Sequence, residues 1–164
     1  MSWFPDMGTV TMIDAGDHVR AVGWLSRKHR FAKGNVPTEF RARLREFAAK
    51  WDQSADALGW GICKGLHRCE LCLLRRFTAS GNFGVPSGEL LFAVPEMISH
   101  CVEVHHYHPP VEFIAGVMQS PIPGTDEYRA SVDPFRRLHE RSMQAMWSAE
   151  PPSAPDRDGL KPAR

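Results

Sequence analysis

Two cysteines and two histidines constrain this chain more than any other residues in it. Cys69 and Cys72 form a C-x2-C pair, and about thirty residues later His100 and His105 form an H-x4-H pair. Both spacings are typical of structural zinc sites, in which two thiolates and two imidazoles hold one tetrahedral ion. The sequence therefore predicts a Cys2His2 zinc site that joins two distant segments of the chain.

Two further residues are alternative ligands. Cys101 and His105 are four residues apart, so both would project from one face of a helix and could replace the imidazole pair. His67 could supply the fourth ligand if one helical imidazole stays free. Two interpretations without a metal are a thioredoxin-like redox pair and ordinary buried cysteines and histidines. A redox pair usually belongs to a βαβ unit, whereas Cys72 is followed here by Leu-Leu-Arg-Arg and a predicted hairpin.

The composition is that of a globular protein. Of 164 residues, 43% are hydrophobic and 24% are charged, which suits a single domain with its own core. No apolar run approaches the roughly 18 residues that a membrane-spanning helix needs, so we expect no membrane partner. The first residues lack the basic and apolar regions of a secretory signal, and we therefore expect reduced thiols in the cytoplasm.

Apolar periodicity and turn residues predict one α+β domain over residues 1–148. It should combine a small antiparallel sheet and a hairpin with three to four helices and a loop pinned by zinc. The predicted strands cover residues 9–13, 18–25, 82–85 and 89–94. The predicted helices cover residues 37–51, 95–107, a short segment after 110, and 134–148. Residues 149–164 are rich in Pro, Asp and Ser, and we expect them to be disordered.

Two of these helices have specific signals. Phe40, Leu44, Phe47 and Trp51 fall at i, i+4, i+7 and i+11, which is one stripe of a helix. Asp133-Pro134 combines a good capping residue with a proline suited to the first turn, and this predicts where the last helix begins.

Charge is segregated along the chain. Residues 20–76 contain thirteen Lys and Arg against five Asp and Glu, whereas residues 86–133 contain one against seven. We expect the two stretches to form complementary faces of the fold. The alternative is an exposed basic patch over Arg27–Lys50. That patch is a weak candidate for nucleic-acid binding, because the sequence shows no interleaved exposed aromatics and no recognisable binding fold.

The sequence supports two classes of function. A four-ligand zinc site would be structural, and the protein would then be an accessory or interaction module, with another protein as a candidate partner. A three-ligand site would leave an open position near His106 and His108, as in a zinc-dependent hydrolase or nuclease. The motifs H-E-x-x-H, G-x-S-x-G and the zinc deaminase signature are absent. The first class is therefore favoured.

Several motifs in series resemble a known family. They are Ala21-Val-Gly-Trp-Leu25, His67-x-Cys69-Glu-Leu-Cys72, Pro95-x-Met-Ile-x-His100, His105-x-Tyr107 and Pro109-Pro-x-Glu-Phe113. Over roughly residues 9–119 the chain resembles a family of small bacterial proteins classed as a domain of unknown function. Members of that family usually have an aromatic residue at the position of Cys101, which implies that His100 and His105 are the ligands. The resemblance implies no activity and does not include the C-terminal helix.

Overall fold

The structure, a computed structural model, describes residues 3–10, 16–51, 67–73, 77–79 and 81–148. The strands in these ranges are β1 (Val19–Ala21), β2 (His67–Arg68), β3 (Thr78–Ala79), β4 (Asn82–Ser87) and β5 (Leu90–Pro95). The helices are α1 (Thr38–Trp51), α2 (Ile98–Val104), α3 (Val111–Gln119) and α4 (Asp126–Ser148). The predicted α+β class is confirmed. Most of the predicted strand over 9–13 and the whole predicted tail over 149–164 lie outside the described residues.

The main sheet has the strand order β1-β5-β4. β4 and β5 form the predicted antiparallel hairpin, in which Gly84 lies opposite Ala93. Gly88 forms part of its turn with a φ of +60°, a conformation that glycine adopts without strain. β1 differs from the expected antiparallel arrangement, because it pairs in parallel with β5, with Val19 opposite Leu91. The long intervening chain, which includes α1, makes such a crossover feasible.

The core lies around this hairpin. β4 and β5 are buried along almost their whole length, as expected for strands covered on both faces. Large aromatic side chains fill the core, and two of them pair their polar atoms with backbone carbonyls of the hairpin. Trp24 Nε1 donates to the carbonyl of Ala93 at 2.8 Å, and the Tyr128 hydroxyl donates to the carbonyl of Gly84 at 3.0 Å. These bonds remove the free-energy cost of burying an unpaired donor.

Helix α1 confirms the helix predicted from the aromatic stripe. Phe40, Leu44 and Phe47 are buried, and Trp51 is half-buried at the end of the helix. The helix packs against α2 and α3. The 3.6-residue period therefore identified the face that α1 turns towards the core.

Several cations of α1 are paired within the fold. Arg43 donates from Nε to the carbonyl of Val117 at 2.8 Å and from Nη2 to the carbonyl of Ser120 at 2.6 Å. These carbonyls lie at the C-terminal end of α3, where the helix dipole favours a positive charge. Arg45 forms an ion pair with Glu103 of α2. At α1, one ion pair thus joins the basic stretch to the acidic one.

The last helix begins earlier than predicted. The start at Pro134 is wrong, because α4 begins at Asp126 and Pro134 lies inside it. Thr125 caps the helix: its Oγ1 accepts a hydrogen bond from the N–H of Tyr128 at 3.2 Å. Proline removes one intrahelical hydrogen bond. Burial of Tyr128 and Phe135 on the same helix offsets that loss.

Helix α2 ends at Val104, three residues before the predicted end. His106 has a φ of +55°, a left-handed conformation that cannot continue the helix. The chain then pairs with the loop before α1: Gly34 N–H donates to the carbonyl of His106 at 3.0 Å, and His108 N–H donates to that of Ala32 at 2.9 Å. This pairing places His105 at the C-cap of α2.

Candidate metal centre

The two cysteines lie on the small β2–β3 hairpin. β2 pairs in antiparallel with β3, with His67 opposite Ala79, and the N–H of Cys69 donates to the carbonyl of Phe77 at 2.9 Å. Residues 70–71 form a turn, which brings Cys72 back beside Cys69. Cys69 is buried and Cys72 is half-buried. A C-x2-C turn of this kind lets both sulfur atoms face one point.

The two histidines lie at and beyond the last turns of α2. His100 is within the helix, and His105 is its C-cap, with φ −105° and ψ 4°. On a continuous helix two residues five apart would point about 140° away from each other. The helix ends between them, and their imidazole rings converge with centroids 5.0 Å apart. The early end of α2 therefore serves the geometry of this cluster.

The sulfur and imidazole pairs meet at one place. Cys72 Sγ lies 3.1 Å from His100 Nε2 and 3.3 Å from His105 Nε2. Cys69 Sγ lies 3.4 Å from His105 Nε2. All four ligand atoms lie within 4.8 Å of one another. The structure thus brings together the four residues that the sequence selected, although two of them are about thirty positions from the other two.

These distances fit the outline of a small tetrahedral cation site. With metal–sulfur bonds near 2.3 Å and metal–nitrogen bonds near 2.0 Å, the sulfur–nitrogen edge of a tetrahedron is about 3.5 Å. The three sulfur–nitrogen distances of 3.1, 3.3 and 3.4 Å are slightly shorter than that edge. Two sulfur and two nitrogen donors also form a set that selects transition metals over calcium or magnesium. The cluster is therefore compatible with a metal ion.

The thiols of Cys69 and Cys72 differ in pKa. A hydrogen bond from the thiol of Cys101 is the main cause that lowers the pKa of Cys69, to about 4, although burial opposes it. Burial, together with the neighbouring Cys69, raises the pKa of Cys72. These opposite shifts favour one thiolate beside one protonated thiol, because two adjacent negative charges repel. A dication would remove that repulsion and displace the proton.

The two alternative ligands lie outside the cluster of four. Cys101 is only 1% exposed, and its hydrogen bond to Cys69, with burial, raises its own pKa. It is therefore a hydrogen-bond donor to a cluster sulfur, a role that residue spacing alone could not distinguish from ligation. His67 also remains outside, and its Nε2 is buried with no hydrogen-bond partner among the described residues.

An aromatic ring holds one of the imidazoles in place. Phe77, the residue before β3, stacks on His100 with ring centroids 4.4 Å apart and planes 5° from parallel. Phe77 is also the residue whose carbonyl accepts the N–H of Cys69. It therefore connects the hairpin to α2 directly, and nothing in the sequence signalled this contact.

Two groups that could have served an open metal position, Glu103 and Tyr107, have other partners. Glu103 is paired with Arg45, and the Tyr107 hydroxyl donates to Asp6 at 2.8 Å. His106 lines a separate cavity of about 130 Å³, together with Gly34, Arg41 and Glu103. None of the four cluster residues lines that cavity.

The cysteine turn also contacts the loop before α1. The hydroxyl of Ser26 donates to Glu70, between the two cysteines, at 3.0 Å and accepts the N–H of Lys28 at 3.3 Å. Burial acts to raise the pKa of Glu70, but hydrogen bonds that include those from Ser26 and the N–H of Arg27 outweigh it, and the pKa is lowered. These hydrogen bonds join the turn between the two cysteines to the loop over residues 26–33.

Comparison with known proteins gives a family but no function. Searches of curated proteins and of solved structures find no match. Among the helices of the described ranges, none is both long and apolar enough to cross a membrane. A family described as Domain of unknown function (DUF7919) matches residues 2–118, a range that includes all four cluster residues and ends within α3. The chain therefore belongs to the DUF7919 family.

Proposed function

We propose that Cys69, Cys72, His100 and His105 bind one zinc ion, and that the protein is a non-enzymatic accessory or interaction module with a structural zinc site. The observation that carries this proposal is the approach of all four ligand atoms to within 4.8 Å of one another. Zinc is the metal we propose because it accepts tetrahedral S2N2 coordination, has no redox chemistry, and commonly holds short loops in place.

A structural role follows from the number of donors. Four protein ligands would complete a tetrahedral shell, so no position would remain for a reactive water molecule. The neighbouring Glu103 and Tyr107, which a hydrolase could use as acid–base groups, are bonded to Arg45 and Asp6. The hydrolase or nuclease alternative would require one of the four proposed ligands to stay unbound.

The proposed zinc would stabilise a part of the fold that has little else to hold it. β2 and β3 have two residues each, which is too short for a hairpin to be stable by itself. The ion would link this hairpin to α2, which packs on α1 and so on the main core. We therefore expect metal removal to loosen the hairpin and leave the core folded.

The thiols suggest a reducing environment. Cys69, Cys72 and Cys101 are all free, although Cys101 donates a hydrogen bond to Cys69. Disulfides are rare in compartments that keep thiols reduced, and zinc binding needs reduced sulfur. We accordingly propose the cytoplasm as the location of this protein.

The test is a direct count of the metal and its ligands. Elemental analysis of protein purified without chelators should find one zinc ion per chain. X-ray absorption at the zinc edge should then find two sulfur atoms near 2.3 Å and two nitrogen atoms near 2.0 Å. Protein that takes up no zinc after incubation with it would contradict the site. A shell of three protein donors and one water oxygen would instead favour the hydrolase.

A further inference from the structure

A cleft of about 250 Å³ lies between the N-terminal segment and the loop that precedes α1. Its lining includes Trp3, Asp6, Ser26, His29, Arg30 and Phe31. We call the loop over residues 26–33 the basic loop. The cleft is distinct from the cluster of cysteines and histidines, which contributes none of its lining residues.

An aromatic pair forms part of the cleft. Trp3 stacks on His29, with ring centroids 3.7 Å apart and planes 11° from parallel, and 40% of Trp3 stays exposed. Phe31 is half-buried in the same loop, and Lys33 Nζ lies 5.3 Å from its ring centroid. Aromatic and cationic side chains thus alternate on this surface. The sequence alone showed no such alternation, and for that reason it predicted nucleic-acid binding only weakly.

The cations of the basic loop are available, unlike those of α1. Arg27, Lys28 and Arg30 are exposed, and no acidic side chain pairs with them within the described ranges. On α1, by contrast, Arg45 and Lys50 both form ion pairs. Two of the four cations of α1 are thus paired with carboxylates, whereas the exposed cations of the loop keep their positive charge.

Two carboxylates lie close to the cleft, and both accept hydrogen bonds from other groups of the protein. Asp6 Oδ1 accepts hydrogen bonds from the N–H of Gly23 at 3.0 Å and from the hydroxyl of the buried Tyr107 at 2.8 Å, so this oxygen faces the protein interior. Glu70 accepts the hydroxyl of Ser26. Arg30 lines the cleft, and Arg27, Lys28 and Lys33 lie on the same loop, so the loop cations outnumber these two acids.

We propose that this cleft binds a nucleotide, with the base against the Trp3–His29 pair and the phosphate beside Arg27, Lys28 and Arg30. The nucleotide is either free or one residue of a single-stranded nucleic acid, since both present the same base and phosphate. Flat aromatic rings with adjacent cations are the common means of holding single-stranded bases. A volume of about 250 Å³ accommodates one base, with the phosphate outside on the loop.

An acidic peptide would use the cations but would gain nothing from the flat Trp3–His29 pair. A duplex hides the faces of its bases, so it would contact the cations alone. The inference names a nucleotide as the partner of the interaction module proposed above. It rests on that proposal only for the protein's role as a binding module. The cleft does not include the metal ligands, so the two proposals can fail separately.

The experiment is fluorescence anisotropy with a fluorescein-labelled single-stranded oligonucleotide, measured at low salt. The variants are Trp3→Ala, Trp3→Phe and the double variant Arg27→Gln/Arg30→Gln. The matched control is Arg137→Gln/Arg141→Gln, which makes the same change of charge on exposed residues of α4, a helix that packs against β4. Circular dichroism and zinc content, measured on every sample, establish that each variant is folded and show whether the metal is present.

We expect Trp3→Ala and the Arg27/Arg30 variant each to weaken binding by about tenfold, and Trp3→Phe to retain most of the affinity, because stacking needs a ring. The control variant should bind like the wild type. Affinity should fall as salt rises, with a smaller slope in the Arg27/Arg30 variant. Competition by adenosine monophosphate at similar concentration would identify a free nucleotide, whereas a strong preference for the strand would identify single-stranded nucleic acid.

The proposal is overturned if the wild type binds neither ligand at low salt, or if the α4 control loses as much affinity as the loop variant. It is also overturned by two results together: inorganic phosphate, a duplex or an acidic peptide competes as strongly as the unlabelled single strand, and Trp3→Ala has no effect on affinity. The surface would then attract any polyanion. If the protein takes up no zinc after incubation with it but still binds the nucleotide, the proposed metal site is contradicted and the cleft remains supported.

Discussion

The β4–β5 hairpin with α1 and the β2–β3 hairpin with α2 are stabilised by different means. Each strand of the first hairpin has six residues, nearly all buried, and α1 contributes Phe40, Leu44 and Phe47 to the same core. Each strand of the second has two residues, and next to it Leu73 is 82% exposed. Apolar burial holds the first region and also α2, whereas the described residues of the β2–β3 hairpin include only two buried ones, Cys69 and Ala79, next to the cluster of two cysteines and two histidines.

This difference suggests a division of roles. A region held by apolar burial needs no ion, and its free energy of unfolding depends on packing. A region with two-residue strands depends on a local link, here the proposed zinc together with the stacking of Phe77 on His100. Substitutions in the two regions should therefore affect different properties: those in the first should change overall stability, and those in the second should change metal content and local order.

The largest loss of stability should come from Phe47→Ala. Phe47 is fully buried, with its ring centroid 6.3 Å from that of Phe83 and 6.4 Å from that of Tyr128. Its loss should cost about 3–5 kcal/mol and lower the melting temperature by about 10 °C or more, measured by thermal circular dichroism. Leu73→Ala, an exposed control beside the cysteine turn, should leave the melting temperature unchanged. Equal effects from the two variants would contradict the proposed difference between the regions.

Cys69→Ser should abolish stoichiometric zinc and reduce stability. If the ion is present at about a thousand times its dissociation constant, its loss removes about 4 kcal/mol. That corresponds to a fall in melting temperature of about 10 °C. Hydrogen exchange should show increased exchange at Thr78–Ala79 while amides of β4 and β5 stay protected, because the core does not depend on the ion. Global unfolding on loss of zinc would show that the main core is not independent.

Cys101→Ala distinguishes a hydrogen-bond donor from a ligand. The structure assigns Cys101 a hydrogen bond to Cys69 and keeps it outside the cluster of four. We therefore expect one zinc ion per chain to remain, with an affinity weakened by about tenfold, since partners that orient or polarise a ligand have effects of this size. Competition with a chromophoric chelator measures this affinity. Complete loss of zinc would mean that Cys101 is itself a ligand.

Patterns confined to one segment could be predicted from the sequence. The stripe of α1 needed only the helical period, and the β4–β5 hairpin needed only two apolar runs and a glycine turn. Selecting Cys69, Cys72, His100 and His105 needed the known spacings of zinc ligands. The structure brings these four together, which is what a metal site requires and what spacing alone could not establish.

Features that depend on distant segments could not be predicted in this way. Pro134 looks like a first-turn proline, but the helix starts at Asp126 because buried Tyr128 and Phe135 favour a longer helix. The parallel pairing of β1 with β5 depends on a crossover that no local pattern shows. The stacking of Trp3 on His29 joins residues far apart in the chain, so the aromatic character of the basic loop was invisible in its own sequence.

The smallest predicted effect concerns the contact that joins the cysteine turn to the basic loop. Ser26→Ala removes the hydrogen bond to Glu70, which should cost about 1 kcal/mol at neutral pH. Because this bond helps to lower the pKa of Glu70 in the folded protein, its contribution is present above the ordinary carboxyl pKa of about 4.3. It disappears as the pH falls through the folded-state value. Urea denaturation of the wild type and Ser26→Ala should therefore show stability curves that converge in acid. Curves that stay parallel down to low pH would show that Ser26 acts through packing alone, and that the charge of Glu70 does not connect the two regions.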